Sequence, residues 1–313
     1  MASLNTALKN LKSNTGLGQL AQHMPIGLKA RIRRVVDRLG RPSTSERVLA
    51  ESSQTNDLLA RIYYELTLAT PRYRESRRLL QYGFKIYSQH DEDGIVEEIF
   101  RRIGTTNRFF VEFGVGEGVE NCTTYCLLKD WKGVWIDGSA ECFERLQRTF
   151  EFLIAQGRLR AKYSFIMAEN IESLFEELEV PKEFDFLSID IDRNDYWVWK
   201  AIVNYRPRLV AIEFNSSFGK SASCVVPYHS RAIWDGTNYT GCSLKALENL
   251  GNEKGYRLVG CSFSGVTSFL VREDLLGDHF ASPYTSENHY EPPRYFVRMP
   301  NGHPPNFGPL VWR

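Results

Sequence analysis

The segment from Glu112 to Gly118 has the residue types of a ligand-binding loop. Three glycines stand at alternate positions, Gly114, Gly116 and Gly118, and acids lie on both sides of them. Glycine permits close approaches that a Cβ would block, so such loops contact ligands through the main chain. The spacing G-x-G-x-G differs from the G-x-G-x-x-G of dinucleotide-binding loops. No G-K-S or G-K-T follows, which excludes a Walker phosphate loop.

The acids beside these glycines favour a cationic ligand. Glu112, Glu117 and Glu120 would repel the pyrophosphate of a dinucleotide. A cofactor with a cationic centre, an ammonium group and a ribose suits such a loop, and S-adenosylmethionine has all three. The loop therefore predicts S-adenosylmethionine as cofactor and disfavours a dinucleotide-dependent enzyme.

Short apolar runs alternate with amphipathic segments from Phe109 onward. This alternation predicts an α/β fold: a Rossmann-like, seven-stranded, mostly parallel sheet with helices on both faces. The last two strands leave no room for a helix, so the sheet ends in an antiparallel C-terminal hairpin. The predicted strands are Phe109–Phe113, Gly133–Asp137, Tyr163–Met167, Phe184–Ile189, Leu209–Phe214, Arg257–Ser262 and Thr267–Val271. The predicted helices between them are Thr123–Lys129, Ala140–Gln156, Ile171–Leu178, Tyr196–Asn204 and Ser243–Gly255.

Polar residues, most of them acidic, end or follow the first five predicted strands. In open parallel sheets, ligands bind beyond the carboxyl ends of the strands. A single acid at such a position is usually a helix cap or a solvated loop residue, but five strands with the same feature indicate a site. The residues concerned are Glu112, Asp137, Glu169, Asn170, Asp190, Asp192, Glu213 and Asn215.

The glycine loop, with an acid closing the second strand about 20 residues further on, resembles class I S-adenosylmethionine-dependent methyltransferases. Six segments in order are similar to the FkbM-type branch, which is linked to sugar and polysaccharide tailoring. The likeness spans about Tyr87 to Arg272. The segments are YSQHDEDGIVEEIF, FFVEFGVGEGVENCT, WKGVWIDGS, FDFLSIDIDRNDYWVWKAI, RLVAIEFNSSFG and GCSLKALENLGNEKGYRLVGC.

The resemblance implies cofactor-binding roles for particular residues. Glu112 and the three glycines would surround the methionine part of the cofactor, because a Cβ would collide with it. Asp137, followed by Gly138, would accept hydrogen bonds from both ribose hydroxyls. Others would complete the site: Ser88 and Gln89 closing over it, Asn121 capping the following helix or touching the ribose, Glu169 and Asn170 at the adenine, and Asp190 beside the transferred methyl group.

Two catalytic routes are open at the ends of the fourth and fifth strands. Methyl transfer from a sulfonium is an in-line displacement, so the protein aligns donor and acceptor and removes the proton of an acceptor hydroxyl. In one route, Asp190, Asp192, Glu213 and Asn215 bind Mg²⁺ or another divalent metal, since hard cations prefer oxygen ligands. In the other, Asp190 or His229 takes the proton without a metal. Asp195 is a further ligand candidate or the cap of the next helix.

The segment Asn215 to Gly241 is long for a connection between a strand and a helix. Long loops at a ligand-binding edge are more often functional than idle. Its aromatic residues, interleaved with donors and acids, suit the apolar ring faces and hydroxyls of a sugar. The alternative is a surface flap packed by its own aromatics.

The chain divides into three predicted regions: a helical basic region 1–80, a methyltransferase domain 81–280, and a Pro- and aromatic-rich tail 281–313. Residues 1–50 carry nine basic and two acidic residues. A basic amphipathic helix from Gly27 to Leu39 is a candidate contact for an anionic membrane surface or an acidic partner, or is a solvated helix. Helices are also predicted over Glu46 to Leu68 and Tyr73 to Gln81.

Composition narrows the class of protein. The net charge of +1 gives no support to nucleic acid as a partner. Without a membrane-span or signal pattern, a cytoplasmic location is expected. The leading interpretation is an O-methyltransferase acting on a hydroxyl of a sugar, polysaccharide or related natural product, with a small-molecule or glycan substrate and a homo-oligomer left open. The alternative is a non-catalytic, methyltransferase-like binding module in such a pathway.

Overall fold

The structure is a computed structural model that describes residues 44–295 and 307–308, with side chains from residue 55 onward. The basic helix predicted over Gly27 to Leu39 lies outside the described residues. The chain separates into two units, residues 1–56 and residues 57–313. In the described part of the chain, no helix is long and apolar enough to cross a membrane. The predicted domain boundaries stay predictions.

Helices and strands alternate along the described chain. The helices are α1 Thr44–Leu68, α2 Glu92–Ile103, α3 Thr124–Leu128, α4 Ala140–Thr149, α5 Glu151–Ala155, α6 Ile171–Glu177, α7 Asp195–Ala201, α8 Leu244–Lys254 and α9 Ser286–His289. The strands are β1 Phe109–Phe113, β2 Lys132–Asp137, β3 Leu159–Tyr163, β4 Glu183–Ile189, β5 Arg206–Glu213, β6 Tyr256–Cys261 and β7 Thr267–Arg272. Short 3₁₀ turns lie at Leu80–Tyr82, Ser216–Phe218 and Glu273–Leu275.

The seven strands form one sheet in the order β3-β2-β1-β4-β5-β7-β6. Strands β1 to β5 are parallel, and β7 runs antiparallel to both of its neighbours, β5 and β6. The sequence-based prediction of a Rossmann-like, mostly parallel sheet with an antiparallel C-terminal hairpin is confirmed. Strand order reverses between β1 and β4, which places the ligand-binding crevice at their carboxyl ends.

Strand β1 is buried on both faces. Phe109, Val111 and Phe113 pack into one hydrophobic cluster, and Phe110 packs into the cluster on the opposite face. All five residues of β1 are buried. A strand buried on both faces has a nearly continuous apolar sequence, and β1, with four apolar residues and Glu112, was predictable to the residue.

The third strand differs from its prediction. It covers Leu159–Tyr163, four residues before the predicted Tyr163–Met167. β3 is one of the two edge strands, and its charged residues Arg160 and Lys162 pair with Glu179 and Glu177. A charged edge strand lacks the apolar pattern that identifies buried strands, and the apolar residues that follow it form a loop instead.

Between residues 73 and 103, one predicted helix is absent and one observed helix was not predicted. The helix predicted over Tyr73 to Gln81 is wrong, because that stretch forms turns followed by a 3₁₀ turn. Helix α2 was not predicted. Its Gly94 lies so close to the preceding segment that a Cβ would approach the carbonyl oxygen of Tyr82 to 2.2 Å. This close packing explains a glycine inside a helix, where it is otherwise unfavourable.

Candidate functional site

A cavity of about 700 Å³ lies at the carboxyl ends of β1, β2 and β4. Its wall is formed by the loops that follow these strands, by the segment before α2, and by part of the connection from β5 to α8. The lining includes Gln89, Glu92, Glu112, Gly114, Gly116, Glu117, Glu120, Asn121, Asp137, Gly138, Phe165, Ile166, Asp190, Asp192, Asn194, Ile233, Trp234 and Thr267.

The glycines of the loop after β1 have different reasons to be glycine. Gly114, with φ +79°, packs so closely on the next loop that a Cβ would stand 1.5 Å from the carbonyl oxygen of Asp190. At Gly118 a Cβ would collide with Trp135, at 2.7 Å. At Gly116, with φ +55°, a Cβ would have no neighbour within 4 Å among the described residues. Protein packing thus requires glycine at Gly114 and Gly118, and the contact of this loop with a cofactor stays a prediction.

Glu112 joins the end of β1 to the start of α3. Its carboxylate accepts the N–H of Cys122 at 2.9 Å, the N–H of Thr123 at 3.0 Å and the hydroxyl of Ser188 at 3.0 Å. The hydroxyl of Thr123 and the side-chain amide of Asn121 also donate to it. Burial raises the pKa of Glu112, while these donors oppose the shift. Glu112 fixes the shape of the loop.

Asn121 was predicted either to cap the next helix or to touch the ribose. Its amide donates to Glu112 at 2.7 Å, and its carbonyl oxygen accepts from the hydroxyl of Thr124. No side-chain hydrogen bond caps α3. Asn121 therefore links Glu112 to α3, and it also lies in the cavity wall.

Asp137 lies at the end of β2 and connects two loops of the cavity wall. Oδ2 accepts the backbone N–H of Gly116 at 2.7 Å, and Oδ1 accepts the N–H of Ser139 at 2.7 Å. An ionised carboxylate has about four acceptor positions, so both oxygens of Asp137 have capacity left for a ligand. Gly138 lines the cavity beside it.

Asp190, Asp192 and Glu213 form a group of carboxylates whose oxygens lie within 4.8 Å of one another. Water reaches Asp190 and Asp192 through the cavity, although protein surrounds them. Within the described chain, no group donates to Oε2 of Glu213 or to Oδ2 of the adjacent, fully buried Asp195. Nearby carboxylates with so few donors can share protons or hold a divalent cation.

The local environment shifts the pKa values of this group upward. Burial, followed by the negative charges of Asp195 and Asp192, raises the pKa of Asp190. Burial and the charge of Asp190 raise the pKa of Glu213. Burial raises the pKa of Asp195 to about 7. The N–H of Ile191 donates to Oδ1 of Asp195 at 2.8 Å, so this residue supports the turn between β4 and α7.

Asn215, predicted as a metal ligand, holds the long connection from β5 to α8. Its amide donates to the carbonyl oxygens of Asn238 at 2.8 Å and Thr240 at 3.1 Å, and its Oδ1 accepts the N–H of Ser217. These bonds close the segment 215–241 on itself. We call residues 215–241 the flap.

His229 lies on the flap and outside the cavity wall. It is exposed, and its Nδ1 accepts the N–H of Arg231 at 3.3 Å. Its carbonyl oxygen accepts from the amide of Asn194 at 3.0 Å, which fastens the flap to the loop after β4. The flap residues that do line the cavity are Ala232, Ile233 and Trp234.

The segment before α2 contributes Gln89 to the cavity wall, and the first residue of α2 contributes Glu92. Ser88, predicted to close over the site, is buried; its hydroxyl accepts the N–H of Asp93 at 3.1 Å and so supports the start of α2. Gln89 is exposed. Glu92 is buried at 2% exposure.

Glu169 and Asn170, predicted at the adenine, do not line the cavity. Glu169 accepts a hydrogen bond from the hydroxyl of Tyr228 on the flap. Asn170 accepts the N–H of Met167 at 2.8 Å and donates to the carbonyl oxygen of Phe165 at 2.9 Å, which fixes the loop after β3. In this loop, Phe165 and Ile166 line the cavity.

Several cavity residues were missed in the sequence. Glu92 is the first residue of α2 and Thr267 is the first residue of β7, so neither residue follows a parallel strand. Asn194, 3% exposed, follows the turn after β4, and its Oδ1 has no donor within the described chain. These residues come to the cavity through tertiary packing, which spacing alone does not reveal. Only the segment YSQHDEDGIVEEIF carried a signal for Glu92.

Solved structures of methyltransferases show limited similarity to this chain. No protein-family model matches the chain, and no curated protein matches it. Among solved structures, an O-methyltransferase from Bacillus cereus in complex with SAH (S-adenosylhomocysteine) is 15% identical, with a TM-score of 0.38 over 77% of this chain and 95% of that one. The N-terminal domain of EvdMO1 with SAH bound is 14% identical, with a TM-score of 0.38 over 58% and 79%.

A third similar structure is an S-adenosylmethionine-dependent methyltransferase from Clostridium acetobutylicum. It is 13% identical, with a TM-score of 0.36 over 56% of this chain and 89% of that one. Likenesses at this level do not transfer an activity, so the function is inferred from the cavity and its residues.

Proposed function

We propose that this chain is an S-adenosylmethionine-dependent methyltransferase that methylates a hydroxyl of a sugar, polysaccharide or related natural product. One observation supports the cofactor most directly: Asp137 lies in the cavity wall at the end of β2 and holds the N–H of Gly116. The FkbM-type branch and a cytoplasmic location, expected from the sequence, stay part of this proposal.

The charge of the cavity supports a cationic cofactor. Its described lining contains seven carboxylates and no lysine, arginine or histidine; the seven are Glu92, Glu112, Glu117, Glu120, Asp137, Asp190 and Asp192. A pyrophosphate would be repelled here, whereas a sulfonium and an ammonium group would be attracted. Asp137 has unused acceptor positions for two ribose hydroxyls.

The residues of the chain would act mainly by positioning. S-adenosylmethionine, when bound, supplies an electrophilic methyl group. Asp190 lies at the end of β4 and in the cavity wall, where it would accept the proton of the acceptor hydroxyl. Burial and the neighbouring acids raise the pKa of Asp190, which makes its carboxylate a stronger base than a solvated aspartate. His229 is outside the cavity wall, which favours Asp190.

A divalent metal is the second part of the proposal. Asp190, Asp192 and Glu213 would hold it, because their oxygens converge and Oε2 of Glu213 lacks a donor within the described chain. Mg²⁺ prefers such oxygen ligands and would supply Lewis acidity that lowers the pKa of a bound hydroxyl. The hydrogen bonds of Asn215 go to the flap, so it supports the site without being needed as a ligand.

The flap supports a sugar as acceptor. Trp234 is 50% exposed and lines the cavity, and Tyr239 is 55% exposed beside the guanidinium of Arg193. Exposed aromatic faces beside carboxylates match the apolar ring faces and hydroxyls of a sugar. The hydroxyl of Tyr228 on the flap donates to Glu169 and accepts the N–H of Ala168, which holds the flap beside the loop after β3.

A labelled-methyl assay tests this proposal. The purified chain is incubated with S-adenosylmethionine carrying a labelled methyl group and with a panel of neutral glycosides and polysaccharides, with and without EDTA. We expect a mass gain of one methyl group on a glycan. The methylation activity should be lost in Asp190→Ala and reduced by EDTA. Full activity with EDTA would remove the metal from the proposal and leave Asp190 as the base. A chain that binds no S-adenosylhomocysteine would refute the proposal as a whole.

A further inference from the structure

Most carboxylates of the cavity already have protein partners. Glu112 accepts from five donors and has no free acceptor position. Glu117 pairs with Arg145 at 2.5 Å, and Glu120 pairs with Lys85 at 3.0 Å. In the proposed function, Asp137 serves the ribose and the acids at the ends of β4 and β5 serve the acceptor side. The amino-acid part of the cofactor then still needs a carboxylate for its ammonium group.

Glu92 fits this requirement. It is 2% exposed, lines the cavity and opens helix α2. Its Oε2 accepts the N–H of His90 at 2.8 Å, and its Oε1 accepts the hydroxyl of Thr267 at 3.2 Å. With about four acceptor positions on a carboxylate, two are left for a ligand. Both existing donors are neutral, so no lysine or arginine of the described chain compensates the charge through an ion pair.

The position of Glu92 across the sheet also fits. Thr267, its partner, stands opposite Glu213 in the pairing of β7 with β5. Asp137 ends β2, so β1, β4 and β5 separate the two sites. The negative charge of Glu92 contributes to the raised pKa values of Asp190 at the end of β4 and of Cys122 after β1, so its carboxylate reaches from the β7 side of the cavity towards both loops. A cofactor whose ribose lies at Asp137 and whose methyl group lies near Asp190 extends its amino-acid part across the sheet towards Glu92.

We propose that Glu92 is the carboxylate that binds the α-ammonium group of the cofactor's amino-acid part. This inference rests on the proposed function and adds a positioning residue to it. A buried carboxylate without a cationic partner gains a charge-assisted hydrogen bond when the ammonium group binds. The contact orients the sulfonium end of the cofactor relative to Asp190.

Calorimetry with three ligands tests this role. The ligands are S-adenosylhomocysteine, its analogue that lacks only the amino group, and 5′-methylthioadenosine, which lacks the whole amino-acid part. Wild type is expected to prefer S-adenosylhomocysteine over the deaminated analogue by about 10- to 100-fold, the range for a hydrogen bond to a charged group. Glu92→Gln is expected to lose this preference and to bind 5′-methylthioadenosine as wild type does.

Two further variants make the result specific. Glu141→Gln removes an exposed carboxylate that lies outside the cavity wall and is expected to keep the preference. Thr267→Val removes one donor to Glu92 and replaces Glu92→Gln as the test if that variant does not fold. It is expected to weaken the binding of S-adenosylhomocysteine several-fold more than the binding of 5′-methylthioadenosine.

The role of Glu92 is refuted if Glu92→Gln still prefers S-adenosylhomocysteine over the deaminated analogue. It is also refuted if Thr267→Val weakens the binding of S-adenosylhomocysteine and of 5′-methylthioadenosine equally. If wild type binds none of the three ligands, the proposed function itself is wrong, and this result is distinct from the loss of one preference.

Discussion

The backbone N–H of Gly116 donates a 2.7 Å hydrogen bond to Oδ2 of Asp137, and this bond joins the loop after β1 to the end of β2. The same carboxylate accepts the N–H of Ser139 through Oδ1. One residue thus holds two loops of the cavity wall and keeps acceptor positions for a ligand. The binding surface is therefore fixed before any cofactor arrives, which reduces the entropy lost on binding.

The glycines of the loop after β1 should differ in their tolerance of alanine. In Gly116→Ala the new Cβ has no neighbour within 4 Å among the described residues. The only cost is that of alanine in a left-handed backbone conformation, about 1–2 kcal/mol of unfolding free energy. Gly114→Ala adds a clash with the carbonyl oxygen of Asp190 and should cost several-fold more or prevent folding. Urea denaturation measures both. Equal losses would show that the close approach at Gly114 is absent.

Glu112 should stabilise the fold more than any acid on the cavity rim. Glu112→Ala leaves five donors without their partner, and each unpaired buried group costs about 1–3 kcal/mol. We expect a loss of at least about 3 kcal/mol of unfolding free energy. The matched control, Glu117→Ala, removes an exposed ion pair and should change stability by less than about 1 kcal/mol. Similar losses in both variants would contradict the role of Glu112.

The acids at the ends of β4 and β5 should make stability depend on pH. Folding raises the pKa values of Asp190, Glu213 and Asp195, the last to about 7, above the value of about 4 in an unfolded chain. The folded chain therefore holds protons that the unfolded chain releases, and the stability present at low pH is lost as pH rises from about 4 to about 7. Thermal denaturation from pH 4 to pH 8 without metal measures this loss.

Magnesium should oppose that loss. At pH 7.5, Mg²⁺ replaces the missing protons between the three convergent carboxylates and should raise Tm by several degrees, whereas at pH 5 its effect should be small. Glu213→Gln should be more stable than wild type at pH 7.5 without metal and should respond less to Mg²⁺. A Tm that is independent of Mg²⁺ at every pH would argue against the metal site.

Asn215 should hold the flap. Asn215→Ala removes the bonds to the carbonyl oxygens of Asn238 and Thr240, so the flap should open locally and trypsin should cleave after the exposed Arg231 about ten times faster. Asn204→Ala, which removes an exposed hydrogen bond to Glu172 outside the flap, is the control and should leave the rate unchanged. Equal rates for Asn215→Ala and wild type would show that other contacts hold the flap.

The sheet was largely predictable because its central strands are buried on both faces. The mainly apolar sequences of β1 (FFVEF) and β4 (EFDFLSI) identified these strands to within one residue. The edge strand β3 was misplaced because its sequence LRAKY includes the charged residues Arg160 and Lys162 and so lacks the apolar pattern of a buried strand. Helix α2 was missed because its three-acid start resembles a loop, and only its packing on Tyr82 explains Gly94.

The candidate site was predictable where it follows the parallel strands. Asp137 and Asp190 were found because carboxyl ends of parallel strands meet at one edge. Glu92 and Thr267 reach the cavity from a helix and an antiparallel strand, so strand order alone could not place them. His229 was singled out by residue type and Asn170 by its position after the third predicted strand, and the structure places both outside the cavity wall.

Binding of S-adenosylhomocysteine to wild type and to Asp137→Asn, followed by calorimetry, tests the central claim most directly. Asp137→Asn keeps the shape of the side chain and one oxygen for a backbone N–H. It replaces the other oxygen with an amide, so either Gly116 or Ser139 loses its acceptor, and the charge offered to the ribose hydroxyls is lost. We predict saturable binding to wild type, an affinity about 10- to 100-fold lower for Asp137→Asn, and no binding of NAD. Equal affinity in both proteins, or tighter binding of NAD than of S-adenosylhomocysteine, would contradict the account.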